Sequence, residues 1–505
     1  MKRMRWIIAA HVCTVTVMTT EPRIAEHEVT LDPDDWDAFA QLGHRIVDDV
    51  IAYVREARER PVWRRMPDDI RKSFRVSAPI EPTDASEVYD EFVRSILPFA
   101  QGNNHPRFWG WVNGSGTLLG AFSDLLISVM NSNAGGFDHA AIHVEQQVID
   151  WQKELMGFPP AASGLLVTGG SVANLIGISV AQNHLAETDT RRHGIDQRAP
   201  MRLYCSSETH SSVLRAAGLI GIGTDNVVKI SVNDEYRIEL DALREAIRAD
   251  RARGYRPFCI VGNAGTVNTG ATDDLEALAA IAEEERLWLH VDGAFGAMTR
   301  LSPRLAHITS GISRADSIGF DLHKWLHVPV DAGCVLIRDG DAHRRTFQYV
   351  PEYLTRISGG IAALPSMLSD LGFELTRRGR GIKVWMSMRE HGVARLGQSI
   401  EGNVRQAQYL ERRILESPEL ELLAPVPLNI VCFRYRGSFR DDGVLNALNE
   451  EILVALQERG IAAPSSTRLQ SRFALRVSIT NHRTTFDDID ALVDAVLAIG
   501  RERTA

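Results

Sequence analysis

The strongest constraint on the fold of this chain is the alternation of short β-branched or aromatic runs with helical stretches through its middle. The runs fall at 165–168, 202–205, 227–232, 258–261, 287–291, 317–320 and 334–337. Between them, 240–249 and 275–285 carry helical apolar spacing, the second with Asp273 or Asp274 placed to cap it. Strands that alternate with helices run mostly parallel, and the crossover helices cover both faces of the sheet. The expected fold class is α/β with a mainly parallel sheet. In such sheets ligands sit beyond the carboxyl ends of the strands, so chemistry is to be sought just after each run.

The flanks read differently. Over 35–59, Phe39, Leu42, Ile46, Val50, Ile51 and Val54 recur at three and four residues, the spacing of an amphipathic helix, with Asp34 and Asp35 near its start. Pro61, Pro67, Pro79 and Pro82 then predict an extended wrap. After 391 a helix at 394–415, a strand at 429–435, a helix at 444–459, a strand at 473–480 and a helix at 486–499 describe a smaller α+β unit. The expected divisions are a leader over 1–30, a helical amino-terminal arm over 31–110, a large domain over 111–390 and a small domain over 391–505. In the 473–480 strand Arg476 shares a face with Ser478 and Thr480, and reads either as a solvated or interface residue or as a partner for a substrate carboxylate.

Composition narrows the class of partner. At 505 residues with 44% hydrophobic and 24% charged side chains, the chain is an ordinary globular protein of two or three units. A net charge of -9 without a basic stripe argues against nucleic acid and for a small molecule. Five scattered cysteines, Cys13, Cys205, Cys259, Cys334 and Cys432, show no metal-ligand spacing and fit a reducing, cytoplasmic setting. Lys2, Arg3 and Arg5 precede an apolar run over 6–17, which reads either as a weak signal peptide or as residues upstream of a start at Met18. That run is too short to span a bilayer, and no membrane partner is expected.

The strand ends carry the chemistry. The run at 165–168 leads into Gly169, Gly170 and Ser171 at a helix start; 202–205 leads to His210; 287–291 ends in Asp292; 317–320 ends in Asp321, His323 and Lys324. A helix start preceded by glycines offers free N–H groups and partial positive charge to a phosphate. A lysine amine forms a Schiff base with an aldehyde, an aspartate keeps a pyridine nitrogen protonated, and an imidazole stacks on a flat ring. Each residue alone has a plainer reading: glycines serve tight turns, His210 and Asp292 serve as helix caps, and a lysine beside a tryptophan often lies along the surface. Each following a separate strand, in this order, they describe a pyridoxal 5'-phosphate site.

The motifs HPRFWGWVNG at 105–114, TGGSVANL at 168–175, YCSSETHSSVLRAAGLIG at 204–221, LHVDGAFG at 289–296 and ADSIGFDLHKWL at 315–326 give the chain, over 35–499, a further identity. It resembles the group II pyridoxal-phosphate-dependent amino acid decarboxylases, which include aromatic amino acid, histidine and glutamate decarboxylases. The resemblance implies the fold type I architecture of pyridoxal-phosphate enzymes, a homodimer, and decarboxylation of an L-amino acid to its amine. It implies that Lys324 carries the cofactor, Asp292 partners the ring nitrogen, His210 stacks on the ring and Ala294 packs against its other face. Gly170 and Ser171 become phosphate ligands, with Thr266 and His323 lining the cofactor. Asp321 stands where animal aromatic decarboxylases have asparagine near the phosphate, so an anion there must face away or be hydrogen-bonded.

Two departures from the family pattern bear on function. Animal and plant members bring in a tyrosine to protonate the substrate carbon, whereas 354–384 here holds no tyrosine or histidine, and Leu368 falls at the counted position. Gly359, Gly360 and Gly381 still fit a mobile segment. Either His210, Tyr349 or Tyr353 serves as the acid, or decarboxylation is coupled to oxidative deamination giving an aldehyde, ammonia and hydrogen peroxide; simple decarboxylation is the expectation. An aminotransferase or carbon–carbon lyase of the same fold is the further alternative, whereas a non-catalytic homologue has no reason to keep Lys324, Asp292 and His210 together. In the second departure, the family's side-chain pocket keeps an aromatic wall in Trp111 but gains Asn113, Gly114, Asn131 and Asn133, the last two donated by the partner subunit. Buried asparagines need hydrogen-bond partners, so a substrate more polar than phenylalanine is expected, with aromatic, acidic and diamino acids all open.

Overall fold

A computed structural model describes residues 29–186, 189–196, 198–349, 360–363 and 367–504. The leader through residue 28, with Cys13, and also Tyr353 and Gly359 lie outside the described residues. Among the described residues, those up to Val50 and those from Ile51 onward form separate compact units. The helices in chain order are α1 (Trp36–Arg55), α2 (Asp68–Ser73), α3 (Ala85–Ser95), α4 (Leu118–Met130), α5 (Ala140–Met156), α6 (Gly170–Leu185), α7 (Thr190–His193), α8 (Ser211–Leu219), α9 (Leu240–Ala252), α10 (Leu275–Glu285), α11 (Gly340–Phe347), α12 (Arg380–Glu416), α13 (Asp442–Glu458) and α14 (Phe486–Thr504). Asp35 Oδ1 caps α1 by accepting from the amides of Asp37 and Ala38 at 3.0 and 2.9 Å. The proline-rich wrap contains the one-and-a-half-turn helix α2, which the prolines at its flanks bound.

After the two-residue strand β1 (Phe108–Trp109), every one of the seven apolar runs becomes a strand of one sheet: β2 (Ser163–Val167), β3 (Met201–Ser206), β4 (Val227–Ile230), β5 (Arg256–Asn263), β6 (Trp288–Asp292), β7 (Ser317–Asp321) and β8 (Gly333–Ile337). Their order is β2-β8-β7-β6-β5-β3-β4. Only β8 runs against its neighbours, so the remaining six strands point the same way and their carboxyl ends share one rim. Both faces are buried, and alternate residues feed separate cores. Tyr204, Ile260, Cys334 and Leu336 enter one core, while Leu203, Cys205, Cys259, Val261, Val335 and Ile337 enter the other. At roughly 25 cal/mol per Å² of apolar surface, such two-sided burial dominates the stability of the sheet.

The carboxyl-terminal segment forms a second sheet in the order β1-β11-β12-β10-β9, from β9 (Leu420–Leu422), β10 (Ile430–Tyr435), β11 (Ala463–Leu469) and β12 (Arg472–Ser478). β1, from the segment that precedes the large sheet, pairs parallel with β11, which ties that segment to the small sheet. α12 crosses the expected boundary near 391 and is interrupted there by Gly392, at φ 66°. Both faces of β12 are covered, so Arg476 is buried rather than solvated, 3% exposed. Its guanidinium donates to the carbonyls of Trp111 (3.0 Å) and Asn268 (3.2 Å) and to Ser465 Oγ (3.1 Å), and so holds the segment after β1 against the small sheet. Among the described residues no helix is long and apolar enough to cross a membrane.

Candidate active site

Five strand ends converge on one cavity of about 450 Å³. Its walls include Gly170 and Ser171 after β2, His210 after β3, Thr266 after β5, Asp292 and Ala294 at and after β6, and Asp321, His323 and Lys324 at and after β7. Trp111 closes one side. Every cofactor residue expected from the sequence thus lies on this cavity. Asn131 and Asn133 do not: Asn131 is the left-handed cap of α4, at φ 46°. The Asn133 Oδ1 accepts from the amides of Gly135 and Arg377, each at 2.9 Å. Asn113 likewise spends its amide on the Gly110 carbonyl at 3.1 Å.

Glycines make the close approaches possible. A Cβ on Gly170 would lie 3.0 Å from Asp321 Oδ2, and one on Gly114 would lie 2.1 Å from the His323 carbonyl. Gly114 is therefore required by the backbone of the lysine-bearing loop, not by a substrate pocket. On that loop Trp325 is fully buried, donating from Nε1 to Asn403 Oδ1 at 2.9 Å and meeting the Phe295 ring edge-on at 5.8 Å. With its neighbour in the core, Lys324 reaches the cavity from a fixed backbone.

Asp292 is 5% exposed and both of its oxygens are held: Asn174 Nδ2 donates to Oδ2 at 2.9 Å and the Ala294 amide to Oδ1 at 3.1 Å. Burial pushes its carboxyl above the usual range, while charges at Lys324 and His210 and these hydrogen bonds oppose the shift. Behind it, Asn174 Oδ1 lies 3.0 Å from His290 Nε2, and His290 Nδ1 lies 2.8 Å from Ser317 Oγ, which also receives the Trp288 indole N–H at 2.7 Å. With Asn174 donating to Asp292, its Oδ1 must accept, so His290 carries its proton on Nε2. Burial lowers His290 to about 3 and keeps it neutral. Neither Asn174 nor His290 was marked by the sequence as a site residue; only the facing of α6 onto β6 brings them together. Ser212, Asn263, Val267 and Phe295 are further cavity residues without a sequence signal of their own.

His210 caps α8: its Nδ1 accepts from the Ser212 amide at 3.2 Å and lies 2.9 Å from Ser212 Oγ. In its neutral form the ring would therefore hold its proton on Nε2. Asp321 bridges two partners. Its Oδ1 accepts from the Gly170 amide at 2.5 Å, and its Oδ2 lies 2.7 Å from Lys324 Nζ. Of the other candidate acids, Tyr349 is 79% exposed and off the cavity; Leu368, at the counted tyrosine position, is buried and carries no acid.

The pyridoxal-dependent decarboxylase conserved domain matches residues 67–436. Aromatic-L-amino-acid decarboxylase of Bacillus atrophaeus is 34% identical over 470 residues, 92% of this chain and 95% of that protein. The crystal structure of Oryza sativa TDC with PLP and tryptamine superposes with a TM-score of 0.87 at 25% identity, covering 94% of this chain and all of that one. The crystal structure of Rhodiola rosea 4-hydroxyphenylacetaldehyde synthase superposes at 0.83, also at 25% identity, over 94% of this chain.

Proposed function

Because this chain belongs to the pyridoxal-dependent decarboxylase family, we propose that its cavity decarboxylates an L-amino acid with Lys324, Asp292 and His210 as the working groups. One observation carries the assignment: an amine, a twice-anchored carboxylate and a glycine-lined helix start meet at the carboxyl ends of β7, β6 and β2 around one cavity. The donor set fits pyridoxal 5'-phosphate. Bound there, the cofactor supplies an electron-accepting ring for the electron pair left when the carboxyl departs.

The chain's own residues do the rest. Gly170 and Ser171 take the phosphate at the start of α6, where backbone N–H groups and the helix dipole favour an anion. Lys324 holds the cofactor's aldehyde carbon. Asp292, fixed by Asn174 and Ala294, would hold a proton at the ring nitrogen of the bound cofactor. His210 and Ala294 would hold the two faces of the ring, and Thr266 and His323 would line its sides, all four lying on the cavity. Among the described candidate acids His210 is the one on the cavity, and in its protonated, imidazolium form it serves as the acid that returns a proton to the substrate carbon.

We assign an aromatic L-amino acid as substrate. Trp111, Val112, Val267 and Phe295 give the cavity apolar walls, and Asn113 and Asn133 have backbone partners that remove their demand for a polar side chain. The polarity expected from the sequence thus rests on Asn131 alone. The aldehyde-forming reading keeps one support, the missing tyrosine over 354–384, and the named activity of the Rhodiola rosea neighbour is of that kind. A homodimer is favoured by the apolar side chains that α4 leaves exposed, Leu125, Leu126, Val129 and Met130, which a free surface rarely gathers. A cytoplasmic setting is favoured by Cys205, Cys259, Cys334 and Cys432, all free and buried. The purified protein is expected to show the absorbance of lysine-bound cofactor and to lose it in Lys324→Ala; retention of that absorbance would remove Lys324 from the site.

A further inference from the structure

Asp321 occupies the place where an anionic ligand and a lysine amine would otherwise meet. It is 2% exposed, and its two oxygens are divided between the first amide of α6 and the amine of Lys324. His323 Nδ1 is 3.8 Å from the same carboxylate. The carboxylate is thus a built-in anion at a helix start, a position that favours any anion that reaches it. A phosphate that settles on the Gly170 amide must take the contact that Asp321 Oδ1 now holds, and two anions at that distance repel.

Resting on the cofactor site assigned above, we propose that Asp321 is a displaceable anion: filling the start of α6 with phosphate and releasing the Lys324 amine from Asp321 are one coupled event. Asp321 is a positioning residue, acting through Gly170 and Lys324. While its Oδ2 binds Nζ, the amine is tethered on the phosphate side of the cavity. Phosphate at the helix start drives the carboxylate off the Gly170 amide and loosens the tether, so the amine becomes available only when the correct anion is present. Condensation then takes its usual balance: Nζ adds to the aldehyde carbon, a proton leaves nitrogen, and water departs.

The test separates phosphate from aldehyde. Apo full-length protein is mixed with pyridoxal, which lacks the phosphate, with and without inorganic phosphate, and the yellow absorbance of lysine-bound aldehyde is followed in time. In the unaltered protein, inorganic phosphate is expected to speed loading about tenfold or more, the worth of one charge-assisted hydrogen bond. In Asp321→Asn, pyridoxal alone is expected to load fast, with phosphate adding less than about twofold, because the amide carries no charge to displace. No acceleration in the unaltered protein, or an acceleration undiminished in Asp321→Asn, overturns the proposal. The first arm needs no variant, so misfolding of Asp321→Asn leaves the proposal falsifiable. Failure of the unaltered protein to turn yellow with pyridoxal phosphate itself would instead overturn the cofactor site.

Discussion

At Asp292 the side chain that matters is the one behind it. Asn174 donates to the carboxylate and accepts from His290, so a neutral, buried line of groups fixes Asp292 Oδ2. Replacing Asn174 with alanine frees one oxygen of a buried anion. The expected result is retained cofactor absorbance with kcat lowered about tenfold to a hundredfold, the range for losing one hydrogen bond to a charged group; steady-state kinetics alongside the spectrum checks it. His210→Asn keeps a polar cap but removes the Nε2 proton, and kcat is expected to fall about a hundredfold or more, with cofactor still bound. Lys324, Asp292 and His210 were legible because each sits within five residues of the end of an apolar run. Asn174 was not, because a residue one turn into a helix is aimed by helix rotation, which no spacing in the sequence reports.

Secondary-structure elements were legible in proportion to their burial. Most strands of the large sheet are apolar on both faces and stand out from the helices between them, while β11 carries Ser465, Ser466 and Thr467 and gives no such pattern. The covering of β12 on both faces also escaped the sequence, because β1 and the loop after it arrive from more than 350 residues earlier in the chain, as the Trp111–Arg476 contact shows. The loop bearing Lys324 is set by the same long-range packing. Gly114→Ala would drive a Cβ into the His323 carbonyl, and the backbone must move. A loss of about 1–3 kcal/mol in urea unfolding is expected, together with weaker cofactor retention; an unchanged unfolding midpoint would contradict the close approach.

For the whole molecule, buried neutral histidines set a lower pH limit. Burial lowers His290 to about 3 and His105 and His343 to about 4, from an unfolded value near 6.5. Between those values the unfolded chain binds protons that the folded chain does not, so their contribution is complete above about 6.5 and is lost as pH falls toward 4. Each contributes a slope of up to ~1.4 kcal/mol per pH unit, and urea unfolding from pH 7 to pH 4.5 is expected to show stability falling steadily; a flat profile would contradict it. The fold itself places an amine, an anchored carboxylate and a helix start on one rim, and the relative that is 34% identical over 92% of this chain is a decarboxylase by name. The most direct test incubates the holoenzyme with a panel of L-amino acids and measures carbon dioxide, amine and hydrogen peroxide together. An aromatic amino acid is expected to give one amine per carbon dioxide without peroxide; peroxide and aldehyde in equal measure with carbon dioxide, or turnover with no carbon dioxide, would contradict it.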